Sequence, residues 1–497
     1  MILKLIVLSL YFSILLGIGY FASRRVTNIT DYYVGGKKLG YWIAALSARA
    51  TGESSWLLIG VTGMGAVVGV SAYWIVLGEV LGVYLSWQFL AKKFKIATDR
   101  YDSITVPDYL VSRFGSTSNI LRIISATALS LFVVIYVSAQ IDATGKTFES
   151  FLNINYYVGA LGGFGIVLIY ISTGGFLAVA WSDFFQGILM FIGLVILPIV
   201  AAFYVPDISV LCSGLTAIDP GLTNIWGPGG FNLLNIVTVI GLVSIGIGFL
   251  GSPQVYVRFM SVKDVNEINK GKWVAVLYTL VTDTAAVTIG LLGRYLLTTK
   301  GLDTFVSEDL VKAIGENGEE VLAVLLNEVM PNVIIGVYIA AVLSAIMSTV
   351  DSLLVVASSA VTRDFYQQIL HPEIKNESLI MLSKKVTVIM AVLALSIALL
   401  VSVLSPDRTV FWYVIFGWSG IAATFVPVVV LSLLWDEFTE AGAIASMITG
   451  FLCIPFFKFI VPGFSTIGPY FNKLDVMLPS VLLAMLMGWG VSIFAKD

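Results

Sequence analysis

Residues 45–60 read ALSARATGESSWLLIG, small and polar side chains interrupting an apolar stretch long enough to cross a bilayer. Lipid offers no partner to the amides and carbonyls that such residues leave thinly covered, so a break of this kind persists only around a cavity or an ion. A second break, GLVSIGIGFLGSP at 241–253, begins about 195 residues and five apolar segments later. That spacing predicts an inverted repeat of five helices plus five, with the broken first helix of each half meeting the other at the bilayer midplane. The plainer alternative is a pair of Gly-rich packing helices; two breaks at this separation favour the repeat.

Outward from these segments the chain is a series of apolar runs. The first covers 2–22; the others lie near 41–69, 72–91, 121–144, 155–179, 184–206, 232–251, 273–297, 331–360, 386–404, 409–434, 441–461 and 475–494. At about 1.5 Å per residue each run crosses a bilayer, which predicts an all-α integral membrane protein of about 13 transmembrane helices. The first run ends in Arg24 and Arg25 without a small-residue cleavage site and reads as a membrane helix, not a leader. No Ser/Gly-rich or Pro-rich linker divides the chain. It reads as one domain, with 41–206 and 232–434 as the repeats and 441–494 as C-terminal helices.

Composition agrees: 58% hydrophobic and 12% charged residues over 497 positions exclude a soluble fold. Two cysteines, Cys212 and Cys453, and one histidine, His371, exclude a disulfide scaffold and give no basis for a zinc or iron site. An enzyme would need a nucleophile, acid–base or metal constellation that these residues do not offer. The net charge of −3 points to no partner, and no nucleic acid is expected as one. Lys and Arg concentrate in alternate connections, at 24–38, 92–122, 258–272, 363–385 and 496. The positive-inside rule places these in the cytoplasm, with the N-terminus outside and the C-terminus inside a cell membrane. The acidic insertion at 298–332 is then external and reads as a solvated cap.

Glu53, Glu79, Asp142, Asp183, Asp283 and Asp351 fall at membrane depth, where an ionised carboxylate costs about 2.5–3.5 kcal/mol on insertion scales. Some must be paired or solvated. Arg49 and Glu53 stand four apart and share a helix face, as an ion pair would; Glu79 and Asp283 have no partner legible in the sequence. Two broken helices favour an occluded binding site over a continuous pore, and a membrane-embedded solute sensor is a further alternative.

The runs DYYVGGKKLG (31–40), SARATGESSWLLIG (47–60), GGFLAVAWSDFFQG (174–187), GSPQVYVRFM (251–260) and SAIMSTVDSLL (344–354) resemble the sodium:solute symporter family. The resemblance covers most of the chain and is strongest to the sodium/proline branch. It implies the leucine-transporter fold with an extra N-terminal helix, alternating access, and sodium-driven import of a small organic solute. Proline or a similar amino acid is the first expectation, a sugar or other organic anion the alternative.

Carried over residue by residue, the resemblance implies sodium ligands at the carbonyls of Ala50, Glu53 and Ala345 and the hydroxyls of Ser348 and Thr349. Neutral oxygens suit a hard cation, although both hydroxyls also have their own helix carbonyls to bond. Implied solute contacts are Trp56 and Tyr136, with Gly52, Ser55, Ile245 and Phe249 at further pocket positions. The chain departs from the proline branch where Gly52 and Glu53 replace an Asp and a Met, and where Ile245 and Phe249 replace a Trp and a Tyr. A second sodium is implied among Asp183, Ser348, Asp351 and Ser352, although Asp351 stands where the family has a hydroxyl. Two carboxylates with no intramembrane Lys or Arg near them in sequence invite a cation; alternatively, Asp183 reads as the acid that starts a helix.

Overall fold

The computed structural model describes residues 2–171, 175–298 and 314–495. Among these, eleven helical runs are long and apolar enough to cross a bilayer. One of them, Tyr41–Arg100, holds two passes, because the chain turns at Gly69 (φ +66°). A Cβ there would overlap the Leu222 backbone, so glycine is required. The apolar Tyr156–Ile171 completes the thirteen passes expected. In chain order they are α1 (Ile2–Ser23), α2 (41–68), α3 (73–100), α4 (Ile120–Leu152), α5 (Tyr156–Ile171), α6 (Gly175–Ala202) and α7 (Leu233–Ser261). α8 (Val265–Thr298), α9 (Asn332–Leu370), α10 (Ser378–Leu404), α11 (Val410–Leu434), α12 (Glu440–Gly463) and α13 (Met477–Phe494) follow.

The start of α6 differs from the sequence reading. The helix begins at Gly175, not near 184, so Asp183 lies two turns inside it, fully buried, and does not cap its start. The polar pair Ser182–Asp183 does not end the helix because both side chains are bonded within the protein.

Both interruptions read from the sequence are real breaks. α2 is broken at Ser54, whose φ of 51° and ψ of −169° lie in a region costly for any residue but glycine. It resumes as a π-turn over Trp56–Val61. α7 tightens to a 3-10 turn over Ile245–Leu250, opens at Gly251 and Ser252, and restarts at Pro253, where proline's fixed φ suits a first helical position. The first half of α2 packs on α6, α8 and α9, while the break in α7 lies against α3 and α11. α3 and α7 meet backbone to backbone: a Cβ on Gly82 would overlap the Gly246 carbonyl, and one on Gly246 the Gly78 carbonyl. α12 and α13 pack on each other and on α11.

Apolar side chains such as Leu10, Phe21, Ile196, Leu400 and Leu486 are exposed on the outer helices, as a lipid-facing surface requires, and α9 and α11 are buried along most of their length. Ion pairs tie both ends of the bundle. At one, Glu319 holds Lys146 of α4 at 2.6 Å and accepts the Val410 amide that opens α11, and Asp142 accepts from Tyr156 (2.6 Å) and Arg408. At the other, Arg122 bridges Asp108 and Asp364, each at 2.9 Å. Glu319 thus departs from the solvated cap expected of the acidic insertion; Asp303, Glu308 and Asp309 lie outside the described residues.

A candidate cation and solute site at the helix breaks

In an unbroken helix the Ser55 amide would serve the Thr51 carbonyl. Here it donates to Gln140 Oε1 of α4 at 3.1 Å, which leaves the Thr51 carbonyl to α9. Thr349 Oγ1 lies 3.0 Å from Thr51 O and 3.0 Å from Ala345 O. Ser348 Oγ lies 3.0 Å from Ala50 O and 3.2 Å from Ala345 O. The hydroxyls therefore do bond back along their own helix, and they also reach across to the break in α2. Three carbonyls and two hydroxyls converge with every side chain involved buried. Neutral oxygens in this number suit a sodium-sized hard cation.

Of the ligands implied by resemblance, Ala50, Ala345, Ser348 and Thr349 are brought together. Glu53 is placed differently: its carbonyl accepts the Trp56 amide and its carboxylate faces Arg49 at 3.1 Å. Thr51 stands in the set without having been expected. No side-chain signal marks it, because a helix break frees carbonyls by position and not by residue type.

The ground for a second sodium at Asp183 is corrected by Arg258 of α7. Far from Asp183 in sequence, Arg258 is fully buried, and its Nη2, with two hydrogens to donate, lies 2.8 Å from Asp183 Oδ2, 2.8 Å from Thr51 Oγ1 and in contact with Ser352 Oγ. Its Nε donates to Ser47 Oγ at 3.0 Å, and Asp183 also accepts from Ser47 at 2.6 Å. The guanidinium thus supplies between Asp183 and Ser352 the positive charge expected of an ion; Asp351 lies beside Ser352 at 3.4 Å, and Ser348 belongs to the carbonyl cage.

The pocket positions divide into two groups. Tyr136 reaches the break through its hydroxyl, 3.4 Å from Ser54 Oγ, and its ring lies edge-on to Trp418 of α11. Trp418 also packs on Phe249 (centroids 5.0 Å apart) and donates to the Ile245 carbonyl at 3.1 Å. Phe249 fills the space beside Gly52, where a Cβ would lie 2.7 Å from its ring, and carries the Arg49 guanidinium on its face. Trp56 turns the other way, against Phe411 of α11. Sequence reasoning missed Trp418 and Gln140; for Gln140 the signal was available, an amide in the middle of an apolar helix. Ser55 Oγ, Trp56 Nε1 and Gln140 Nε2 are buried with no hydrogen-bond partner among the described residues. Burying a polar group without a partner costs about 1–3 kcal/mol, so Ser55 and Gln140, held together at the break, offer donors built to meet an acceptor.

Two broken helices, an oxygen cage on a third and an aromatic pocket beside it define a secondary transporter. The sodium:solute symporter family model matches residues 32–450, and the chain belongs to that family. It is 34% identical over 475 residues to the high-affinity proline transporter PutP of Bacillus subtilis (strain 168), covering 93% of this chain and 96% of that one. To the osmoregulated proline transporter OpuE of the same organism it is 31% identical over 495 residues, covering 99% and 95%. The structure of a Na+-coupled sialic acid symporter, substrate-bound and outward-open, superposes with a TM-score of 0.79 at 18% identity, covering 99% of this chain and 98% of that chain. The fold is that of the leucine transporter, and the chain is a multi-pass membrane transporter with sodium as its coupling ion.

Proposed function

We propose that this transporter carries proline or a similar small amino acid inward with sodium, by alternating access. One observation carries the reading: the break in α2 presents carbonyls at Ala50 and Thr51 to the α9 hydroxyls and, one turn later, unpartnered donors at Ser55 and Trp56 beside Gln140. The cage suits sodium. The donors suit a carboxylate, since hydrogen bonds to an ionised acceptor are the stronger kind. The rings of Tyr136, Phe249 and Trp418 give an apolar wall of the kind a small cyclic side chain packs against. Both relatives named above are proline transporters by description.

In this reading the N-terminus lies outside and the C-terminus in the cytoplasm, supported by the excess of Lys and Arg in alternate connections. The Lys146–Glu319 end then faces out and the Arg122–Asp364 end faces in. Reconstituted protein should take up labelled proline under an inward sodium gradient and not under a potassium gradient. In the same assay unlabelled amino acids should compete and sugars should not. Preferred competition by a sugar or by a carboxylate lacking an amine would overturn the solute assignment.

A further inference from the structure

α2, α3 and α8 bring together four ionisable side chains that the transport scheme above leaves unused. Arg49 Nη2 lies 3.1 Å from Glu53 Oε1 and 3.5 Å from Glu79 Oε2. Asp283, one residue from Thr282 on α8, lies within charge–charge reach of all three. Their side chains are at most 3% exposed where an ion pair is formed, and Asp283 is 1% exposed. Among the described residues Arg49 is the one basic group paired with any of these carboxylates. Three carboxylates against one guanidinium leave an excess of negative charge in a dry interior, where an uncompensated charge is costly.

The oxygens themselves identify what is needed. Thr282 Oγ1 lies 2.8 Å from its own helix carbonyl at Tyr278, 3.1 Å from Glu53 Oε1 and 3.3 Å from Asp283 Oδ1. A hydroxyl has one proton to donate, and the Tyr278 carbonyl is the nearest acceptor. That single proton cannot serve both carboxylates, so at least one of the two carboxylate oxygens faces a hydroxyl lone pair with no hydrogen between. Independently of those contacts, Glu53 Oε2 and Asp283 Oδ2 are buried and accept no hydrogen bond among the described residues. A hard cation of about this size holds its oxygens at about 2.3–2.6 Å, which sets neighbouring ligand oxygens on the order of 3.3 Å apart. Thr282 Oγ1 stands at about that spacing from Glu53 Oε1 (3.1 Å) and from Asp283 Oδ1 (3.3 Å). A carboxyl proton would settle one oxygen pair; a cation meets all three oxygens and cancels one of the two excess negative charges.

We infer that Glu53, Thr282 and Asp283, with Glu79 completing the charge, form a second sodium site between α2 and α8, separate from the cage on α9. The inference rests on sodium being the coupling ion but not on the identity of the solute. Glu53 joins the two sites: it sits on the turn of α2 that follows the cage carbonyls, so filling one site orders the segment that builds the other. Two sodium ions per cycle would follow, with Arg258 fixed at the Asp183 position.

Equilibrium binding of radioactive sodium to the purified full-length chain, without solute, tests it. The wild type should bind two sodium ions. Ser348→Ala/Thr349→Ala should retain one, and Asp283→Asn should lose one while keeping the other. Thr282→Ala, which alters no charge and is less disruptive to folding, should weaken the retained site in Ser348→Ala/Thr349→Ala by about tenfold or more. A wild type that binds one sodium, lost in Ser348→Ala/Thr349→Ala, overturns the second site and leaves the coupling reading intact. Two sodium ions unaffected by Asp283→Asn and Thr282→Ala also overturn it. No sodium bound by the wild type overturns both readings.

Discussion

Gln140 holds the Ser55 amide with its carboxamide oxygen, while its NH2 has no partner among the described residues. Gln140→Leu keeps the volume but removes both functions, so it should raise the apparent solute constant by about tenfold or more, the loss expected for a hydrogen bond to a charged group. Concentration-dependent uptake checks this; an unchanged constant in a folded variant would remove Gln140 from the pocket. Trp56 separates two contributions, because Trp56→Phe deletes the indole N–H but keeps a ring against Phe411. Trp56→Phe should raise the solute constant with little change in thermal midpoint, whereas Trp56→Ala should lower both affinity and stability, since losing a large buried aromatic costs about 3–5 kcal/mol. At this scale the sequence was legible in part. Ala345, Ser348 and Thr349 follow from the run SAIMSTVDSLL and its family resemblance. Thr51 and Arg258 do not: one acts through its carbonyl, and the other reaches Asp183 from a helix that only the fold brings near.

Breaks and crossings carry the next level of argument. The α3–α7 contact exists because Gly78, Gly82 and Gly246 have no side chains. Gly246→Ala places a methyl on the Gly78 carbonyl and cannot be relieved by a rotamer change, so it should destabilise by about 1–3 kcal/mol or more and abolish transport. A Gly246→Ala variant that melts with the wild type and transports at its rate would contradict this crossing. Arg258 links α7 to α2, α6 and α9. Arg258→Met strands the Asp183 carboxylate and should cost about 3–5 kcal/mol. Arg258→Met/Asp183→Asn should recover most of that loss in thermal midpoint; no recovery would mean that the guanidinium matters for reasons other than its charge. Both breaks were visible as small polar residues inside apolar runs. The start of α6 was not, because Ser182–Asp183 reads as a helix start unless its buried partners are known.

For the whole molecule, the two ends are tied by ion pairs, Glu319–Lys146 at one and Arg122–Asp364 at the other, and the cage and pocket lie between them. A sodium ion entering down a tenfold gradient releases about 1.4 kcal/mol, and an inside-negative potential of about 100 mV adds about 2.3 kcal/mol per charge. One ion therefore sustains an accumulation of a few hundredfold, and a second squares that ceiling. The thirteen passes and their repeat were legible from hydropathy and spacing. The ion pairs Lys146–Glu319 and Arg122–Asp364 were not, since each joins residues more than a hundred positions apart. Sodium coupling runs through the cage between α2 and α9, and the initial rate of proline uptake into proteoliposomes against external sodium tests that cage most directly. The wild type should show saturable sodium dependence. In Ser348→Ala/Thr349→Ala the apparent sodium constant should rise by about tenfold or more, with a smaller change in the rate at saturating sodium. Uptake indifferent to sodium, or a double variant with the wild-type sodium dependence, would contradict it.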